Sequence, residues 1–217
     1  HGLMPLQAMA LDAGALPTNG QITSGSGGIS QAGNVLDVTQ NSQQMIATWE
    51  RFNIGKDAQV NFHQPNVSAV ALNRVTASDA SQILGQLNAN GQVYLINPSG
   101  VLFGNGASVN VGGLVASTLD IKDDDFKAGR LRFQGDGQRG AVINQGTLRA
   151  ADGGSVALLG GEVRNEGAVI ARMGSVVLGG GEKITLDYNG DGLINLQVDE
   201  AAVGASVANR GLLQADG

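Results

Sequence analysis

NQGTL at residues 144–148 and NEGAV at residues 165–169 are two copies of one pattern, 21 residues apart, and that spacing decides the fold. GSV at 154–156 returns at 174–176 after 20 residues, and GGE at 160–162 returns at 180–182 after the same interval. NRGLL at 209–213 is a third copy, 44 residues after the second, which reads as about two repeats on. Between the glycines lie strand-type runs at 156–159, 176–178 and 184–186. A period of about 20 to 22 residues with strand content signals a stacked solenoid; helical repeats are longer, and the leucine framework of leucine-rich repeats is missing. Three short strands joined by Gly/Asn turns make one coil of a parallel β-helix. Equivalent positions of successive coils then stack at about 4.8 Å, so ten coils would form a rod of about 50 Å. Asn144, Asn165 and Asn209 are expected at equivalent corners, where their amides can bond turn backbone or one another in a ladder.

Residues 93–106, VYLINPSGVLFGNG, carry the second signal. An apolar run meets Asn97-Pro98-Ser99-Gly100, then a further apolar run and an Asn-Gly turn. Proline presets φ at the second turn position and glycine tolerates positive φ at the fourth. A rigid, surface-displayed bend between two buried strands is expected, better suited to recognition than to catalysis.

The bulk composition agrees with strands and turns. The 217 residues suffice for one domain with a sizeable core, and the 34 glycines, 4 prolines and 15% charged residues suit short strands rather than disorder. A net charge of −6, with no Lys/Arg cluster, argues against nucleic-acid and anionic-membrane partners. The absence of cysteine rules out disulfides and thiolate metal sites. No stretch approaches 18 apolar residues, so no membrane-spanning helix is expected. The sequence opens HGLMP without a signal core and stops within a repeat, so a processed piece of a longer chain is expected.

One domain over residues 1–217 is read in three parts. Residues 1–45 form an N-terminal cap with the first strands, since an open β-helix end needs covering. Residues 46–125 form the coils that carry the NPSG turn, and residues 126–217 the regular repeats. Residues 42–50 fit a short helix or a strand, and Asp123-Asp124-Asp125 reads as a solvated loop between the halves. Trp49 and Phe52 are expected to pack over the core end. Asn73 and Arg74 read as turn-stabilising or partner-facing.

Asp187-Tyr-Asn189-Gly-Asp191-Gly192 matches the opening of an EF-hand loop, with oxygen donors at positions 1, 3 and 5 and glycine at 6. Position 12 is Val198 rather than a bidentate glutamate, so a polar turn or hairpin is the reading and no metal or other cofactor is expected. His1 and His63 are the only histidines, and no GxSxG or HExxH motif is present. The basic residues are scattered, so an enzyme is not expected.

WERFNI (49–54), SAVALNRV (68–75), GQVYLINPSG (91–100) and ASTLD (116–120), in that order, resemble the N-terminal secretion domain of two-partner secretion exoproteins. Filamentous haemagglutinin and the high-molecular-weight adhesins belong to this group, and the chain looks nearer the adhesins. The family turn is Asn-Pro-Asn-Gly; Ser99 replaces its second asparagine here, and serine can still bond nearby backbone. A second family motif, Asn-Pro-Asn-Leu, is absent, with Leu72-Asn73-Arg74-Val75 in its region. The resemblance implies an all-β, right-handed parallel β-helix with an N-terminal β cap, at the front of a large secreted protein. It implies recognition of the domain by the POTRA domains of a cognate outer-membrane β-barrel; Asn97, Pro98, Ser99 and Gly100 either dock on that transporter or only hold a turn that the fold needs. Transit through the periplasm of a Gram-negative bacterium and folding outside the cell would follow. A monomer is expected, with no membrane insertion and no nucleic acid, and a host-cell or matrix receptor would be met by the remainder of the chain. The front end of a contact-dependent growth-inhibition toxin or cytolysin is an alternative. A self-contained carbohydrate-binding or lyase β-helix is another.

Overall fold

The structure is a computed structural model that describes residues 10–188 and 194–215. It is a parallel β-helix of about six coils with an N-terminal β cap. In the cap, β1 (Gln21–Ser24) and β2 (Gly27–Ala32) run antiparallel to the first coil, formed by β3 (Val35–Gln40) and β4 (Gln44–Trp49). Residues 42–50 are therefore a strand at their centre, not a helix. The second coil is β5 (Gln59–His63), β6 (Val70–Val75) and β7 (Ser81–Ile83). The third is β8 (Gln86–Ala89), β9 (Gln92–Ile96) and β10 (Val101–Phe103).

The fourth coil starts with β11 (Ser108–Val111) and β12 (Gly113–Ser117) and then leaves the solenoid. The excursion holds β13 (Asp120–Ile121), the short helix α1 (Asp123–Lys127) and β14 (Leu131–Gln134); the coil closes with β15 (Ala141–Asn144). The fifth coil, β16 (Thr147–Ala150), β17 (Ser155–Gly160) and β18 (Glu162–Asn165), is uninterrupted. The sixth takes β19 (Ala168–Ile170) and β20 (Ser175–Gly180), departs through β21 (Lys183–Tyr188) and β22 (Ile194–Glu200), and closes with β23 (Ser206–Asn209); β24 (Leu212–Gln214) follows.

Three sheets run the length of the solenoid, ordered β2-β3-β5-β8-β11-β16-β19-β24, β1-β4-β6-β9-β12-β17-β20 and β7-β10-β15-β18-β23. Their inward residues form one core, from Leu36, Met45 and Trp49 through Val93 and Phe103 to Leu158 and Val169. Six coils at the strand spacing give about 29 Å rather than the length of ten, because early coils are longer and two are interrupted.

The two excursions meet. β13, β14, β21 and β22 form an antiparallel sheet, joined between the excursions by β14 and β21, with Leu131 opposite Leu186 and Phe133 opposite Ile184. This sheet and α1 cover the outer face of the second solenoid sheet. Ile46, Leu72, Tyr94, Ile96 and Val115 pack there against Ile121, Phe126, Phe133, Ile184 and Leu186 in a second core. Burial on both faces is why residues 93–96 read as a continuous apolar run rather than an alternation. Tyr94 stacks edge-on against Phe126 at 6.0 Å, and burial holds its phenol pKa well above the ordinary value.

Three sequence expectations change here. Asp123-Asp124-Asp125 is the start of α1, not a loop, and Asp125 is buried. Residues 184–186 belong to the excursion sheet, not to a coil. The third NxG copy lies one coil after the second, since β18 pairs directly with β23 and the extra residues are the β21–β22 excursion.

Asp125 fastens α1 to β14. Its carboxylate accepts bonds from Arg132 Nη2 at 2.6 Å and Arg130 Nε at 3.0 Å, and these hold its pKa below the ordinary value. A depressed folded pKa gives stability that is present above the unfolded carboxylate pKa, about 3.9, and lost as pH falls through the folded value. The urea midpoint of Asp125→Asn should therefore trail that of the parent at pH 7 and converge on it below about pH 4. A gap that persists unchanged into acid would show that the carboxylate's charge is immaterial.

Candidate recognition site and family

The Asn97–Gly100 bend is a corner of the stack between β9 and β10. Gly100 N–H donates to Asn97 O at 3.0 Å, closing a β-turn, and Gly100 has φ of 126°, a conformation that favours glycine. Asn97 is fully buried, which corrects the expectation of a wholly surface-displayed bend. Its Nδ2 donates to Asp79 O at 2.9 Å and Ser81 Oγ at 3.0 Å on the preceding coil, and its Oδ1 accepts Ser99 N–H at 3.0 Å. The next coil lies against the other side, where a Cβ on Gly140 would sit 2.5 Å from Pro98 O. Within the turn, only Pro98 and Ser99 are partly open to solvent. Ser99 enters the turn's hydrogen bonding through its backbone N–H, and the carboxamide that shapes the turn is that of Asn97.

Trp49 and Phe52 are buried in the core near the cap, edge to face at 5.5 Å and 85°. Trp49 Nε1 donates to Asn73 Oδ1 at 2.9 Å, and Asn73 Nδ2 donates to Ala71 O and Tyr94 O, each at 3.2 Å. Asn73 and Arg74 lie inside β6, not in a turn. Asn73 faces the interior, while Arg74 clamps the first excursion through Asp120, Asp123 and Ile121 O. Burial disfavours the Arg74 charge, but the two carboxylates outweigh it and raise its pKa.

Asn144, Asn165 and Asn209 stack at one corner of the third sheet. Asn144 Nδ2 donates to Asn165 Oδ1, and Asn165 Nδ2 to Asn209 Oδ1, both at 2.9 Å. Each Oδ1 also accepts the N–H of the glycine two residues on, Gly146, Gly167 or Gly211. The repeat requires glycine there because the coils approach closely: a Cβ on Gly167 would lie 2.1 Å from Gly146 O. Of the EF-hand-like segment, Asp187 lies in β21, whereas Asn189 and Asp191 lie outside the described residues. No cluster of three or more potential metal ligands occurs among the described residues.

The TPS secretion domain model matches residues 8–216. The chain belongs to the TPS secretion domain family. A crystal structure of the HMW1 secretion domain from Haemophilus influenzae superposes with a TM-score of 0.82 at 32% identity, over 92% of this chain and 57% of that one. A heme/hemopexin-binding protein of Haemophilus influenzae strain Rd is 37% identical over 209 residues, 92% of this chain and 23% of the relative. A second heme/hemopexin-binding protein of that species is 48% identical over 87 residues, 40% of this chain and 9% of the relative. The TPS domain thus spans under a quarter of these relatives' lengths. TPS exoproteins leave Gram-negative cells through an outer-membrane transporter, so a TPS domain implies a cognate transporter. No helix among the described residues is long and apolar enough to cross a membrane.

Proposed function

We propose that this TPS domain is the export signal of a large adhesin, read by the POTRA domains of its transporter, and that it nucleates β-helix folding outside the cell without itself catalysing a reaction. The observation that carries this reading is how the chain buries its polar side chains. Asn97 and Asn73, in the stretches that carry the family resemblance, are fully buried and hydrogen-bonded once the coils stack. Their amides are open to a partner only in the chain before folding, which suits recognition in the periplasm and release by folding outside. Each coil added buries apolar area at about 25 cal/mol per Å², so stacking opposes return through the pore. The remainder of such a protein would meet the host-cell or matrix receptor.

The test separates recognition from folding at Asn97. Asn97→Ala orphans the Asp79 carbonyl, the Ser81 hydroxyl and the Ser99 N–H, at about 1–3 kcal/mol for each group left buried and unpaired. Binding of the urea-unfolded chain to the isolated POTRA domains is measured beside the stability of the folded domain. The proposal expects the unfolded chain to bind, the folded domain not to, and Asn97→Ala to weaken that binding. Unchanged binding with lowered stability would leave Asn97 a purely structural role.

A further inference from the structure

The outer face of the first solenoid sheet bears a polar row unrelated to the turn and the excursions. Asp37, Asn61, Asn88, Asn110 and Arg149 occupy one column, in register on β3, β5, β8, β11 and β16. At the Asp37 end the row is closed on itself. Asp37 accepts from Asn61 Nδ2 at 3.2 Å and faces His63 Nε2 at 2.8 Å, and Asn61 Oδ1 accepts from Asn88 Nδ2 at 3.1 Å. The other end is open. Asn110 spends its Nδ2 on Ser108 Oγ, and the Oδ1 atoms of Asn88 and Asn110 accept no hydrogen bond among the described residues. Arg149 is exposed and makes no ion pair among them.

A groove runs beside this open half. Asn88, Asn90, Asn110 and Arg149 stand along it, while Ala89 and Ala150 turn their side chains toward the core. Asn88 and Arg149 are two coils apart, about 9.6 Å at the strand spacing, or two hexose rings. The chemistry along that length is ordered. Free carboxamide oxygens accept from hydroxyls, and a guanidinium holds a carboxylate bidentately. A net charge of −6 disfavours a polyanion such as nucleic acid, and the single unpaired cation of this column matches one acidic group.

We propose that this face binds an acidic oligosaccharide, with hydroxyls on Asn88 and Asn110 and one carboxylate on Arg149. The site stands apart from the export reading and would persist if that reading failed. The test follows the side-chain resonances of the ¹⁵N-labelled domain during titration with a hyaluronan tetrasaccharide, which alternates uronate and N-acetylhexosamine, and with uncharged chitotetraose. The hyaluronan fragment should shift the Asn88, Asn110 and Arg149 signals with a millimolar Kd. Arg149→Ala should weaken binding about tenfold or more while leaving the backbone spectrum intact, since the side chain is exposed. Arg149→Lys, which keeps the charge but loses the planar fork, should fall between. No shift up to about 10 mM, equal binding of chitotetraose, or affinity indifferent to Arg149→Ala would each overturn the proposal.

Discussion

Trp49→Ala should destabilise the domain by about 4–8 kcal/mol. About 3–5 kcal/mol of that is the loss of a fully buried indole and the cavity left behind. The remainder, about 1–3 kcal/mol, is the orphaned Asn73 Oδ1, which Trp49 Nε1 satisfies inside the core. The neighbourhood cannot close over the gap cheaply, because the cap is already flush with the ring: a Cβ on Gly20 would lie 2.3 Å from Trp49 Cζ3. Trp49→Phe keeps most of the ring and should cost only the Asn73 share. Far-ultraviolet circular dichroism in urea reads both variants, since the chain's single tryptophan is the one removed. Equal, small losses in the two would show that the indole is not a keystone between cap and solenoid.

The second large effect is at the asparagine corner. Asn165→Ala removes the middle of the ladder, leaving the Asn144 amide without its carboxamide acceptor and the Gly167 N–H and Leu212 O without their side-chain partner. With about 1–3 kcal/mol for each buried group left unpaired, the loss should reach about 3 kcal/mol. Asn209→Ala, at the exposed end of the same ladder, should cost about 1 kcal/mol or less, because water replaces what the amide gave. The ratio of the two, from urea midpoints, is the informative number. Matching losses would mean that the amides act independently at each corner rather than as a buried stack.

The solenoid is legible in the sequence because it is periodic. An NxG corner recurs wherever one coil must pass close to the next, so Gly146 and Gly167 announce the stack in the bare sequence. The excursion sheet is not legible, for a physical reason. Leu131 and Phe133 pair with Leu186 and Ile184, more than 50 residues away, through an antiparallel register that repeats nothing. Its strands alternate like any half-buried strand, so residues 184–186 pass for part of a coil. The same pairing hides the true place of Asn209, whose distance from Asn165 in sequence includes a detour that leaves the stack.

At the turn, residue types are readable and depth is not. Asn97-Pro98-Ser99-Gly100 specifies a bend whether it faces water or lies between coils, and only the contacts with Asp79, Ser81 and Gly140 show that it is enclosed. Asn73 is ambiguous for the same reason: a polar residue in an apolar strand reads as exposed until Trp49 is seen to need it. The outer amide row is invisible in the sequence because Asn61, Asn88, Asn110 and Arg149 are unevenly spaced and align only after the coils are stacked.

The most direct test is secretion of residues 1–217 behind a signal peptide, with and without the cognate transporter. The account predicts folded domain in the medium only when the transporter is present, and lower yield with Asn97→Ala. Retention in the periplasm beside a functional transporter, or release without one, would contradict the claim that this domain is an export signal.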